Sequence, residues 1–264
     1  MANPLHRLRL HIEIFRELVQ ALGWEVCVIA PLFILFGYVI FGMVGFGSTI
    51  INTPLLAHLL PLRFVAPLTL LLDLFAAISV GMRMRGEVDR SELRRILPFV
   101  LLGLALGLAL LISLPERALL LLLGCFAFYA GISGLARRHS ARRIHPAWAV
   151  PAGVVGGMFS ALYGTGATIY TIYLSRRIAD ISAFRATMAR LVLIAGLVRT
   201  VLFAASGLLS QDHLLLAALL LAPFAGFGLF LGNRLHQRLS ARHIMVFVYV
   251  LIAANGAALI VRAW

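Results

Sequence analysis

The residues best equipped for chemistry in this chain lie in two look-alike segments, Gly45-Phe46-Gly47-Ser48-Thr49-Ile50 and Gly164-Thr165-Gly166-Ala167-Thr168-Ile169. Each sits inside a long apolar run. Glycine pairs permit backbone conformations that break a helix, and a helix restarting at Ser48-Thr49 or Ala167-Thr168 presents N–H groups without an intrahelical acceptor. Such a terminus carries partial positive charge, so in a low dielectric it favours an oxyanion. Side-chain donors on Ser48, Thr49, Asn52, Thr165, Thr168 and Thr171 lie along the same segments. The competing use of these hydroxyls is to cap their own helices or bond to the preceding turn. The expected chemistry is recognition of a small anion by Gly45, Phe46, Gly47, Ser48, Thr49, Asn52, Gly164, Thr165, Gly166, Ala167 and Thr168. Tyr163 and Tyr170 flank the second segment where Val44 and Ile51 flank the first, which makes the second half the more polar lining. Both tyrosines join the expected site, with core packing as the alternative.

A charged side chain inside an apolar span is costly and marks either a site or an ion pair. Asp73 falls at the centre of the run 64–82, and Arg185, Arg190 and Arg199 share the run 183–205. At about 100° per residue, Arg185 and Arg199 lie on one face while Arg190 points nearly opposite Arg199. Arg185 is near a span end and can extend its stem to the interface. Arg190 is therefore the expected buried cation, either paired with Asp73 or acting as counter-ion to the substrate. Asp73 is the candidate proton-coupling group.

The elements that must carry these residues are membrane-spanning helices. With 62% hydrophobic and 12% charged residues, the chain lacks the polar surface to cover a soluble globule of 264 residues. Continuous runs rich in Leu, Ala and Gly occupy 26–44, 64–82, 96–113, 117–136, 147–163, 183–205, 213–233 and 242–261. These suit helices near the roughly 20 residues that span a bilayer, and not the short alternating strands of a barrel. Residues 1–23 read as an amphipathic surface helix, with Arg7, Arg9, Glu13, Arg16 and Glu17 spaced among apolar positions. Cys27 and Cys125 are isolated, without metal-ligand or disulfide spacing, so neither a metal nor a cofactor is expected.

The net charge of +13 comes from arginines that gather between spans, the pattern of loops on the cytoplasmic side of an inner membrane. No basic face interleaved with aromatics points to nucleic acid. A membrane-embedded enzyme is the rival class, yet no HExxH, GxSxG or acid-rich metal motif is present, so catalytic residues are not expected.

The chain is also duplicated beyond its two glycine motifs. A single offset superimposes Pro98-Phe99 on Pro223-Phe224, Gly103 on Gly228, Gly107 on Gly232, Arg117 on Arg242 and Gly131 on Gly256. The expected organisation is repeat 1 over 24–136, a basic loop over 137–146 and repeat 2 over 147–264. Each repeat would hold one broken or re-entrant helical segment plus three transmembrane helices. Inter-span arginines barely separate parallel from inverted repeats. Inverted repeats are favoured because they bring the two breaks together near the midplane, where transporters bind substrate.

The ordered series of Gly-rich break, Pro54, Ala66-Pro67-x-Thr69, Arg83-x-Arg85-Gly86 and the twice-used Pro-x-x-x-x-Gly-x-x-x-Gly resembles the sulfite exporter TauE/SafE family from about residue 30 onward. That resemblance implies an all-α polytopic protein moving small anions such as sulfite, sulfonates and other sulfur-containing organic acids without ATP. The partners it implies are a small anionic substrate and the lipid bilayer, with protons as candidate coupling ions. A passive anion channel is the alternative within the transport class.

Overall fold

The computed structural model describes residues 23–44, 48–81, 87–136, 144–235 and 241–264. The expected surface helix, Gly45-Phe46-Gly47 and most of the basic loop lie outside the described residues. What is described is helical, as an apolar chain requires when backbone groups must find partners without water. The first broken segment consists of α1 (Trp24–Val44) and α2 (Ser48–Leu56), followed by α3 (Leu62–Gly81), α4 (Arg90–Ser113) and α5 (Glu116–Ala136). After a short turn at Pro146–Trp148 the order recurs as α6 (Ala149–Tyr163), α7 (Gly166–Leu174), α8 (Ile181–Ala205), α9 (Leu214–Leu235) and α10 (Ala241–Ala263).

Among the described residues five helices are long and apolar enough to cross a membrane: α4, α5, α8, α9 and the Val246–Ala263 part of α10. Their outer faces expose Leu102, Leu106, Leu197, Val201, Leu219 and Phe227. Exposed apolar surface on that scale suits lipid and not water.

Helix ends are tied together in two groups. At one end the Leu62 N–H donates to Glu116 Oε1 at 2.7 Å, Arg63 donates to the carbonyls of Leu111, Ile112 and Leu114, and Arg117 Nε donates to Ala263 O. Arg262 Nη1 donates to Ala57 O there, and Gln211 Nε2 donates to Arg63 O at 2.9 Å. The last bond follows from Pro67, whose missing N–H leaves that carbonyl without its helical partner. At the other end Asp89 N–H meets the Thr187 hydroxyl, and Arg177 bonds both Glu92 and Ile144 O.

The long contacts between helices rest on glycines. Helix α1 runs parallel to α9, with Gly228 against Leu35 O and Gly232 against Val39 O; α6 runs parallel to α4, with Gly103 against Val154 O and Gly107 against Met158 O. Leu35 and Val154 hold equivalent places before their glycine motifs, as do Val39 and Met158. Helix α5 packs antiparallel on α10 through Gly124, Gly131 and Gly256. In each case a Cβ would collide with the facing backbone, which is why small residues serve at these seams. Gly232→Ala should therefore lower stability by about 1–3 kcal/mol, read as a lower melting temperature of the detergent-solubilised protein. An unchanged melting temperature would mean that α1 and α9 can part without loss.

Because α9 starts at the first end, its parallel partner α1 starts there too, and α2 returns to the same end at Ala57. Helices α6 and α7 have both outer ends at the other group of contacts, beside Ile144 and Arg177.

Candidate functional site

The second break is a glycine stop. Gly164 takes a left-handed conformation (φ 75°), and its N–H returns to Ser160 O at 2.9 Å while that of Thr165 returns to Phe159 O. Glycine adopts this conformation without a Cβ penalty. Gly166, which opens α7, has Gly156 O and Ser160 in the place a side chain would fill. The break leaves the carbonyls of Tyr163 and Gly164 beyond the helical ladder, where they need other donors. Two threonines of α2 supply them: Thr49 Oγ1 donates to Gly164 O at 2.9 Å and Thr53 Oγ1 to Tyr163 O at 2.8 Å. The start of α2 and the second break are thus in direct contact.

Other expected site residues divide between two environments. On the α1–α2 side, the hydroxyls of Tyr38 and Ser48 both donate to Asp73 Oδ1, at 2.8 and 3.0 Å. Asp73 itself is half-buried on α3. Asn52 is 1% exposed, its carboxamide set against Gly37 where a Cβ would collide, and its Oδ1 accepts no hydrogen bond among the described residues. On the α6–α7 side, Thr165 and Tyr170 are buried, and neither Thr165 Oγ1 nor the Tyr170 hydroxyl, which has Ser160 beside it, makes a hydrogen bond within the described residues. Thr171 follows the competing reading and bonds back to Ala167 O. Tyr163 donates its hydroxyl to Leu119 O at 2.9 Å, so it serves the packing of α6 on α5. Ala167 and Thr168 lie half-buried in the first turn of α7.

The expectation for Arg190 is corrected. Arg190 is exposed on α8, and the buried arginine of that helix is Arg199, at 3% exposure. Arg199 Nη2 donates to Ala66 O at 2.7 Å, its guanidinium lies 4.9 Å from the Phe203 ring centroid, and its Nε has no partner among the described residues. It interacts electrostatically with both Asp73 and Tyr170, and Nη1 faces the α-carbon of Gly164. The two arginines occupy opposite faces, as helical geometry demands. Which face turns inward was not legible, because α8 is apolar on every side.

Two further residues escaped the sequence reading. Tyr38 offered only the weak signal of a lone hydroxyl deep in α1. Glu92 stood close to an arginine-rich loop, yet it is buried, and accepts from Tyr173 Oη at 2.6 Å, from Arg177 Nε and Nη2, and from Arg95. Its carboxylate raises the Arg177 guanidinium above its already high ordinary value, chiefly through the hydrogen bonds. This cluster ties the outer end of the α6–α7 hairpin to α4. A separate cavity of about 300 Å³ flanks the same hairpin, bounded mainly by apolar groups such as Trp148, Pro151, Ile169 and Ile172.

In chemical terms, the region where the start of α2 meets the second break holds, among the described residues, one fixed cation, one carboxylate and several buried polar atoms without partners. Unpartnered donors at this depth are costly unless a ligand takes them. Comparison with known proteins bears on which ligand. The family model described as sulfite exporter TauE/SafE matches residues 29–259. A relative named "Probable inner membrane transporter protein TsaS", from Comamonas testosteroni, is 27% identical over 198 residues, covering 75% of this chain and 83% of the relative. No solved structure matches the chain.

Proposed function

The chain belongs to the sulfite exporter TauE/SafE family, and on that premise we propose that it is a secondary transporter of small sulfur-containing oxyanions, sulfite and sulfonates foremost. Family membership makes it a membrane transporter. The anion binds where the two breaks meet. The observation that carries this reading is Arg199, buried with an unpartnered Nε and with Nη1 against Gly164 of the second break, the break on which the unpartnered hydroxyls of Thr165 and Tyr170 also lie. Arg199 takes the counter-ion role in place of Arg190. Of the remaining expected set, Ser48, Thr49 and Asn52 approach the anion from the first hairpin and Gly164, Thr165, Gly166, Ala167, Thr168 and Tyr170 from the second. The backbone N–H groups that open α2 and α7 add their dipoles.

The two halves are inverted repeats in this reading, since α1–α2 opens to one end and α6–α7 to the other. Helices α3, α5, α7 and α9 end at the α6–α7 end, and the sequence that follows them carries Arg83, Arg85, Arg137, Arg138, Arg142, Arg143, Arg176, Arg177 and Arg238. That end faces the cytoplasm by the positive-inside rule, in the inner membrane named for the relative. Asp73 is the proton-coupling group: it accepts from the hydroxyls of Tyr38 and Ser48 and feels the charge of Arg199.

The test is transport in proteoliposomes with sulfite, sulfonates, sulfate and carboxylates, with and without a proton gradient. Saturable uptake and counterflow of sulfite or a sulfonate are expected, with accumulation when the gradient is present. Unsaturable flux would favour a channel, and absence of movement for every anion would overturn the assignment.

A further inference from the structure

We propose that the Asp73–Arg199 pair makes the site a charge filter, which takes one monoanion together with one proton and rejects dianions. This rests on the transport reading above and narrows its substrate class. The groups that bear on Asp73 are Tyr38 from α1, Ser48 from α2 and Arg199 from α8; among the described residues no other charged group acts on it from the helices packed around α3. Elsewhere in the described residues the other buried charge is Glu92, which is already bound to Arg177 and Arg95. The site therefore contains, among the described residues, one positive and one negative group.

An enclosed site of low dielectric tolerates little net charge. Empty, Arg199 and ionised Asp73 cancel. A monoanion that takes Arg199 Nε and the hydroxyls of Thr165 and Tyr170 leaves the site at one negative charge. Uptake of one proton by Asp73 restores neutrality. Oδ1 already accepts from Tyr38 and Ser48, whereas Oδ2 accepts no hydrogen bond among the described residues and is the atom that receives the proton. A dianion would need a second protonatable carboxylate, and among the described residues Asp73 has none acting on it. Hydrogensulfite and monosulfonates thus meet the requirement; sulfate and disulfonates do not. The paired movement of a monoanion and a proton carries no net charge.

The experiment uses wild-type protein in proteoliposomes and two labelled probes, methanesulfonate and, at mildly acidic pH, sulfite. Ethanesulfonate should displace the probe at least ~100-fold more effectively than sulfate, the discrimination set by one uncompensated buried charge. Probe uptake should also be unaffected by a potassium diffusion potential imposed with valinomycin. In Asp73→Asn protein the anion moves without its proton, so net movement should become voltage-dependent, a change that a merely structural role for Asp73 would not produce. Equal displacement by sulfate and ethanesulfonate, or wild-type uptake that follows the imposed potential, would overturn the filter while leaving anion transport intact. Failure of every anion to move or displace would overturn both readings.

Discussion

Arg199→Gln should weaken substrate binding by about 2–5 kcal/mol, the cost of truncating one partner of a buried hydrogen-bonded charge pair. Arg199 is the one arginine among the described residues that is buried, and its Nη2 is committed to Ala66 O while Nε is left over. Glutamine removes the charge and the planar fork together. Lysine keeps the charge but cannot hold Ala66 O and reach the anion in the same geometry, so Arg199→Lys should recover only part of the affinity. Arginine stays protonated at any biological pH, so the loss should appear at all pH values and not as a shifted profile. Arg190→Gln is the matched control: the side chain is exposed, and affinity should be unchanged. Binding to purified protein, with monodispersity checked by size exclusion, is the measurement. Wild-type affinity in folded Arg199→Gln would remove this residue from the site.

Asp73→Asn should abolish proton-driven accumulation while sparing exchange of substrate across the membrane. An asparagine keeps an oxygen that can accept from Tyr38 and Ser48, so the contacts joining α1, α2 and α3 survive the change. What it loses is the ability to gain and release a proton. The loaded variant is neutral with Arg199 and a monoanion present, so loaded forms still interconvert and counterflow continues. The empty variant retains an unbalanced Arg199, so its return without substrate is slow and carries a charge, which makes the net movement that remains voltage-dependent. Accumulation assays with a pH gradient, set against counterflow in the same vesicles, separate the two activities. Folded Asp73→Asn protein that still concentrates substrate on a proton gradient would show that another group couples transport.

Much of this molecule could be read from its residues in order, and the reason is the bilayer. Lipid offers no hydrogen bonds, so long Leu- and Ala-rich runs must become helices, and glycine motifs such as Gly164-Thr165-Gly166 must interrupt them. The eight apolar runs and the second break follow from that constraint alone, as does the value of small residues at Gly103, Gly107, Gly228 and Gly232, which the repeat offset brings into register.

Which face of each helix looks inward was decided only by tertiary packing. In a soluble helix the polar side marks water, but α8 meets lipid on one face and protein on the other, and both solvents favour apolar residues. Periodicity could therefore place Arg190 and Arg199 on opposite faces without saying which one is enclosed. The approach of Tyr38 and Ser48 to Asp73, and of Thr49 to Gly164, joins residues far apart in the chain through hydrogen bonds that leave no trace in local composition. Glu92 illustrates the same limit from the other direction. Beside an arginine-rich loop it resembled a solvated charge, and only the return of Tyr173 and Arg177 from the second hairpin encloses it. Sequence determined that a glycine motif interrupts the second half at Gly164; the fold determined which cation lies against that break and which carboxylate accepts from the start of α2, because burial is a property of neighbours that a helix cannot choose alone.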